Sequence, residues 1–429
     1  MLELIDGRDS EAPVHVPRPR PVTAGADPAA VVAEIVESVR LGGDRALFEH
    51  TERLDGARLT AGTLMVPPDE ISKARSLVRP ELVSALEVMA ERLRSTCERQ
   101  LPEPWFDRRG DEMVGEMIRP LRRVGIYVPG GRASYPSSVV MAAVPASVAG
   151  VEGIAVATPP DAGGRVPEAV LAACAIAGVT EVYRMGGAQA IAALAYGTET
   201  VRPVDKVVGP GNVFVTLAKR AVQGWVGTDS EAGPTELLVI ADGSADPEAI
   251  ALDLIAQAEH GPNGSHVLVT WEVGLLEDVG GRLEILAAMH PRSDDVENAL
   301  IEGGRGVLVR DVDQALATAN AFAPEHLELA FDDAEAHLDS VVNAGSVFVG
   351  VSSPVPVGDY VGGTNHVLPS GGTARWASGL GVNDFLKRIY VSSFEPSALE
   401  RLAPHVTALA EAEGLPTHAD AVNVRFEER

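Results

Sequence analysis

Apolar residues recur at helical spacing in two early segments. ADPAAVVAEIVESVRLGG, residues 26–43, carries a stripe of Ala, Val and Ile and halts at Gly42-Gly43, and PELVSALEVMAERLRSTCERQ, residues 80–100, repeats the pattern. These predict packing helices with no chemistry of their own. From residue 120 the texture changes to short β-branched runs, each followed by a Gly-rich turn and an Ala-rich helix, the form that βαβ units of a parallel sheet take. VGIYV, GIAVAT, EVYRM and DKVVG are the strands expected in this series. A second series opens near residue 236 with ELLVIAD, SHVLVT, GVLVR, LELAF and SVFVG. The architecture reads as occurring twice. PEAVLAACAIAG (167–178) and PEAIALDLIAQAEHG (247–261) echo each other as a duplication would, although Ala-rich helices also resemble each other by composition alone.

After residue 351 strand signals fade. Pro354, Pro356, Gly358, Gly362 and Gly363 punctuate a loop, and a polar helical tail is expected from about Asp384. Such a tail has little apolar surface, so it either caps its own chain or packs on a second subunit. The most membrane-like stretch, VVMAAVPASVAGVEGIAVAT (139–158), is broken by Pro145, Gly150, Glu152 and Gly153 well short of a span. It reads as a buried helix followed by a buried strand.

Length and charge narrow the class. At 429 residues and 46% hydrophobic content, two or more domains with ample cores are expected. Acidic residues outnumber basic ones 61 to 35, and a net charge of -26 repels nucleic acid and anionic lipid alike. Neither nucleic acid nor membrane is an expected partner, and most of the acidic surplus is read as solvated surface. Cys97 and Cys174 are too few for a thiolate zinc centre or a disulfide framework and read as core thiols of a cytoplasmic protein. The start, MLELIDGRDSEAP, has no basic segment leading into an apolar run, so no secretory signal is expected there.

Nitrogen and oxygen donors of the kind that hold Zn²⁺, with Mn²⁺ or Co²⁺ as substitutes, occur in several places. They are Gln257 and His260 in AQAEHGP, Asp359 in VGDYVGG, His366 in TNHVLP and His418 in EGLPTHAD. Gln257 and His260 share a helix face, and Gly261-Pro262 stops the helix. A helix finishing its last turn would read the same, and a single histidine is more often a capped surface residue than a ligand. FAPEHLELAF, residues 322–331, sets Glu325 beside His326. A histidine next to a carboxylate suits general acid–base work. Pro at the first turn of a helix, with Glu complementing its dipole, accounts for the same letters. Three Gly-rich turns, VPGGRAS (128–134), MGGAQAIAAL (185–194) and VGPGNVF (208–214), would let backbone approach a phosphate or an adenosine. None is a G-x-G-x-x-G fingerprint, and ordinary turns of an α/β sheet look similar.

Taken together, these stretches resemble the histidinol dehydrogenases. RRVGIYVPGG, YPSSVVMAAVPA, DKVVGPGNVFV, QAEHGP, APEHLEL, GDYVGGTNHVLP, DFLKR and EGLPTHADAV follow the order and approximate spacing of that family across roughly residues 30 to 425. The resemblance implies an α/β fold of two Rossmann-like parallel-sheet domains lacking the fingerprint, with small N- and C-terminal helical segments. It implies a division into an N-terminal extension (1–25), a helical part packing with the second Rossmann-like domain (26–122), a first Rossmann-like domain on the NAD⁺ side (123–235), a second holding zinc and catalytic residues (236–380), and a small C-terminal helical domain (381–429).

The activity it implies is oxidation of L-histidinol to L-histidine through bound L-histidinaldehyde, with two NAD⁺, as the last step of histidine biosynthesis. Carried over residue by residue, Gln257, His260, Asp359 and His418 become ligands of one Zn²⁺ per subunit, with His418 reaching across a homodimer. His326 becomes the general base, Glu325 activates the water, Thr235, His366 and Glu413 touch the substrate, and Tyr127, Gln189 and Asn212 touch NAD⁺. Thr235 replaces the family's usual Ser, and GTDSEAG (227–233) is more acidic than usual; both bear on substrate fit. The competing expectations are a related zinc-dependent NAD dehydrogenase acting on another small polyol or amino alcohol, and a silent scaffold that kept the fold. The carboxylate Glu413, suited to a cationic amine, and the full set of catalytic side chains weigh against them.

Overall fold

The computed structural model describes residues 1–19, 27–130, 134–230 and 233–426. Residues 20–25 of the N-terminal extension, 131–133 of the VPGGRAS turn and 231–232 of the acidic GTDSEAG segment lie outside the described residues. The chain divides into two compact units, one built from Met1–Gln100 and Leu121–Phe385 and the other from Leu101–Pro120 and Leu386–Arg429. In chain order the strands are β1 (Glu3–Asp6), β2 (Trp105–Arg109), β3 (Glu112–Pro120), β4 (Arg123–Tyr127), β5 (Gly153–Thr158), β6 (Glu181–Arg184) and β7 (Lys206–Val208). They continue as β8 (Gly227–Thr228), β9 (Glu236–Ala241), β10 (Ser265–Thr270), β11 (Gly304–Leu308), β12 (His326–Ala330), β13 (Ser346–Val349) and β14 (Leu386–Phe394).

In the first unit, β6-β5-β4-β7-β8 make one sheet and β1-β11-β10-β9-β12-β13 another, every pair parallel. Both are wound alike. The earliest strand of each series, β4 or β9, is central, the next two run to one side and the last two to the other, which is the doubly wound order. The second sheet gains β1 at its edge, a strand the hydrophobic pattern did not predict. Every residue of β9 and β10 is buried, as expected of parallel strands covered by helices on both faces. Alternation divides the faces: Leu237 and Val239 join the core beneath the helix Pro247–Ala258, while Leu238 and Ile240 join the opposite core with Phe322.

Two early expectations are refined. The helix predicted to stop at Gly42-Gly43 runs on from Pro28 to Asp55 with a kink, because Gly43 takes φ 56° and a Cβ there would strike the Glu199 side chain. Glu199 accepts a bond from the Asp44 amide at 2.7 Å, so the break is filled by a neighbour's carboxylate and a further helical stretch follows. Residues 139–146 form the buried body of a helix, Pro136–Val148, and β5 (Gly153–Thr158) follows, as the sequence suggested. Among the described residues no helix is long and apolar enough to cross a membrane.

In the second unit a correction is needed. The chain after Asp384 does not enter a helix directly: β14 pairs antiparallel with β3, which pairs with β2 through a turn at Gly110-Asp111, and only then come helices Pro396–Ala412 and Pro416–Asn423. The helical reading of residues up to 122 likewise missed β2 and β3. These strands bury little, so neither alternation nor an apolar run marks them. The available signal was propensity, in Ile389, Tyr390, Val391 and Phe394, and a two-residue Gly-Asp turn whose Gly110 sits at φ 63°. Asp111 then grips Arg401 at 2.6 and 2.8 Å, tying the turn to the following helix.

Candidate active site

The chain reverses after the helix Val312–Phe322 through Ala323 in a left-handed conformation and Pro324, delivering Glu325 and His326 to the amino end of β12. They therefore open a strand, and the alternative of a helix's first turn does not apply. Both are buried. Glu325 Oε2 accepts the Glu236 backbone N–H at 2.9 Å and lies 3.5 Å from His326 Nδ1. His326 Nδ1 is 3.0 Å from the Glu236 carbonyl oxygen, which can only accept, so Nδ1 carries the proton and Nε2 is the basic nitrogen. Among the described residues the polar group nearest to Nε2 in an ion pair is Asp359, whose Oδ1 stands 3.5 Å away.

Electrostatics in this pocket run against ordinary values. Burial pushes Glu325 up to about 7, with His326 opposing the rise only in part. Burial alone would lower His326, but the carboxylates of Glu325 and Asp359 outweigh it and raise the imidazole to about 9. Burial would raise Asp359, yet His326 and neighbouring histidines pull it below its usual range. An acid and a base thus sit side by side with pKa values displaced toward the working range, a pattern typical of catalytic groups.

The remaining candidates arrive from separate elements. Gln257 occupies the last turn of helix Pro247–Ala258, is buried, and its amide nitrogen donates to Thr235 Oγ1. His260 lies just past the helix end, ahead of Gly261 at φ 119°; solvent reaches it, yet desolvation still lowers its pKa and favours the neutral ring. Asp359 sits in the short helix Val355–Tyr360, where a loop was expected, and its backbone oxygen is 2.8 Å from His366 Nδ1. Thr235, Gln257, His260, Asp359, His366 and the Glu325-His326 pair all line one cavity of about 540 Å³. Glu259 is turned to Arg292, 2.7 Å away. His418 and Glu413 are exposed and belong to the second unit. Among the described residues no three His, Cys, Asp or Glu side chains gather as a metal-holding group, so one copy of the chain does not present a complete carboxylate–histidine cluster.

A larger cavity of about 810 Å³ contains Tyr127, Gln189 and Asn212. Tyr127 ends β4 and Asn212 follows β7, so this cavity opens at the carboxyl ends of adjacent central strands, where doubly wound sheets bind ligands. Tyr127 Oη accepts the Gly187 N–H at 3.1 Å, and Asn212 caps the helix Val213–Val222. Tyr127, Pro129, Gly130 and Asn212 line both cavities. In the second sheet the arrangement is reversed: His326 and Glu236 are the first residues of β12 and β9, so the catalytic candidates lie at amino ends.

Sequence reading missed Arg18 and Glu236. Glu236 supplies both backbone contacts that hold Glu325 and His326, and its buried carboxylate accepts Arg18 Nε at 2.5 Å. Arg18 also donates to the Phe322 carbonyl and stacks 3.8 Å over the Phe322 ring. Nothing in the spacing of Arg18 and Glu236, far apart in the chain, advertises this clamp. Arg18→Ala should cost about 3 kcal/mol in urea unfolding by leaving a buried carboxylate unpaired. Adding Glu236→Gln should restore part of the loss, whereas a loss below about 1 kcal/mol, the range of exposed pairs, would show that the pair is no clamp.

Comparison with known proteins agrees with this arrangement. A model of the histidinol dehydrogenase family matches residues 18–426. The histidinol dehydrogenase of Syntrophotalea carbinolica is 47% identical over 398 residues, covering 92% of each chain. That of Moorella thermoacetica is 45% identical over 428 residues and spans 100% of both. The crystal structure of histidinol dehydrogenase from Elizabethkingia anophelis superposes with a TM-score of 0.90 at 37% identity, covering 95% of this chain and 94% of the other. With the fold and these relatives in agreement, the chain belongs to the histidinol dehydrogenase family.

Proposed function

We propose that this protein oxidises L-histidinol to L-histidine through bound L-histidinaldehyde, consuming two NAD⁺ in succession at one site, as the last step of histidine biosynthesis. The observation that carries the reading is the buried Glu325–His326 pair facing a cavity that shares a wall with a second, dinucleotide-sized one. NAD⁺ bound against Tyr127, Gln189 and Asn212 could then present its nicotinamide across that wall to an alcohol beside His326. In this reading residues 123–235 hold the cofactor, 236–380 carry the chemistry and 381–429 complete the site of a second copy.

As hydride leaves the alcohol carbon for NAD⁺, His326 Nε2 takes the hydroxyl proton, its ring held by Glu236 through Nδ1. In the second half-reaction Glu325 takes a proton from water as the water adds to the aldehyde, His326 returns its proton to the aldehyde oxygen to give the hydrate, and it takes that proton back as the hydrate yields its hydride to a second NAD⁺. The raised pKa of Glu325 makes it a stronger base than an exposed carboxylate while still ionisable near neutrality.

The donor chemistry fits Zn²⁺. Gln257 spends its amide nitrogen on Thr235 and so keeps its carbonyl oxygen for a cation, His260 favours the neutral ring, and Asp359 stays ionised. His418 of the partner subunit would complete the set in a homodimer, and Thr235 and His366 of this chain, with Glu413 of the partner subunit, would contact the substrate. Held there, such an ion would supply a Lewis-acid anchor for the substrate's nitrogen donors and so help fix the reacting carbon.

Glu325→Gln separates the roles. Alcohol oxidation, followed with histidinol in a single turnover, should persist within about threefold, while aldehyde oxidation should slow by about 10²-fold or more. Equal loss of both would refute the division of labour.

A further inference from the structure

We infer that Asp55 sets cofactor choice: its carboxylate receives the adenosine ribose hydroxyls of NAD⁺ and rejects the 2′-phosphate of NADP⁺. This rests on the reading of the larger cavity as the NAD⁺ site.

The two cavities share Pro129, Gly130 and Asn212, whereas Asp55, Gln189 and Pro160 line only the larger one. A dinucleotide whose nicotinamide reaches His326 across the shared wall therefore places its adenosine half toward Asp55. The side chains lining this cavity, among the described residues, include no Lys, Arg or His; the charged ones are Asp55 and Asp161. Among the described residues a 2′-phosphate dianion would find no cation there, and phosphate recognition in dinucleotide sites relies on one.

The two carboxylates differ. Asp161 follows β5, the second strand of its series, where dinucleotide folds usually place the ribose acid. Its oxygens are committed to Arg165, with Nε at 3.1 Å, Nη2 at 2.9 Å and the backbone N–H at 2.9 Å. Asp55 ends the kinked helix Pro28–Asp55 and, among the described residues, is met by neutral donors, the Gln189 amide at 3.2 Å and the Gly186 N–H. Its charge is uncompensated and it retains acceptor capacity for a diol. Gln189 adds a second acceptor: it is wholly buried, and with its nitrogen turned to Asp55 its Oε1 has no partner among the described residues. The packing leaves Asp55 little room to yield, since a Cβ on Gly186 would meet Pro159 at 2.6 Å and Asp55 Oδ1 at 3.1 Å. Burial raises Asp55 to about 6, which keeps it ionised at neutral pH and an avid acceptor. Two acceptors and one uncompensated negative charge match a ribose diol and oppose a phosphate.

The test is kcat/KM for NAD⁺ and for NADP⁺, at saturating histidinol, in the wild type and in Asp55→Asn, Asp55→Ser and Asp161→Asn. The NAD⁺:NADP⁺ ratio should fall about tenfold or more in both Asp55 variants, the scale of a lost charge-assisted hydrogen bond, with KM for NAD⁺ rising more than kcat falls. Asp161→Asn should leave the ratio in place. Should the Asp55 variants weaken both dinucleotides equally, or Asp161→Asn collapse the ratio instead, Asp55 is not the determinant although the NAD⁺ site stands. A wild type that oxidises histidinol with neither dinucleotide, or with both equally well, overturns the NAD⁺ reading itself.

Discussion

Replacing His326 by asparagine is expected to slow both oxidations by about 10²–10⁴-fold, the range for loss of a positioned general base. Asparagine is chosen because its amide can still donate to the Glu236 carbonyl that now holds Nδ1, so the strand end keeps its contact while the basic Nε2 disappears. The wild type should show a pH dependence that the variant lacks. Although burial opposes the charge, Glu325 and Asp359 raise His326 to about 9, so near neutrality the ring is protonated and cannot act as a base. The kcat/KM for histidinol should climb from neutrality toward pH 9 and then level. Stability runs the other way: the His326 contribution is complete below the ordinary value of 6.5 and lost as pH rises through about 9. A variant retaining the same alkaline rise would assign it to another group.

Mixing two inactive proteins should recover activity. His418→Ala removes the metal donor proposed for the second unit, and His260→Ala removes one proposed in the cavity beside His326. If sites are shared across a homodimer, each hybrid has one site built wholly from intact parts. Random mixing would then return roughly a quarter of wild-type activity per subunit, since half the dimers are hybrids and each has one working site. The second unit gives this idea physical support: Trp105 and Phe106 on β2 and Tyr390 and Phe394 on β14 are all exposed in the single chain, as surfaces awaiting a partner are. Verified heterodimers with no recovered activity would place all the donors within one chain.

The two parallel sheets were legible because continuous apolar runs such as ELLVIA and SHVLVT are forced by burial on both faces. The small antiparallel ribbon was not, because its exposed strands obey no burial pattern and announce themselves only by propensity. The candidate site divides similarly. Glu325-His326 and Gln257-His260 are local pairs that a reader of the chain can see, and the resemblance supplied their company. The Arg18–Glu236 clamp and the Asp55–Gln189 contact join residues far apart in sequence, and only the folded chain brings them together.

The most direct measurement counts NADH. Purified protein given limiting L-histidinol and excess NAD⁺ should release two NADH for each histidine formed, with no free aldehyde accumulating, and lose this activity on chelation. One NADH per histidinol with aldehyde released would contradict the claim that a single site carries both oxidations.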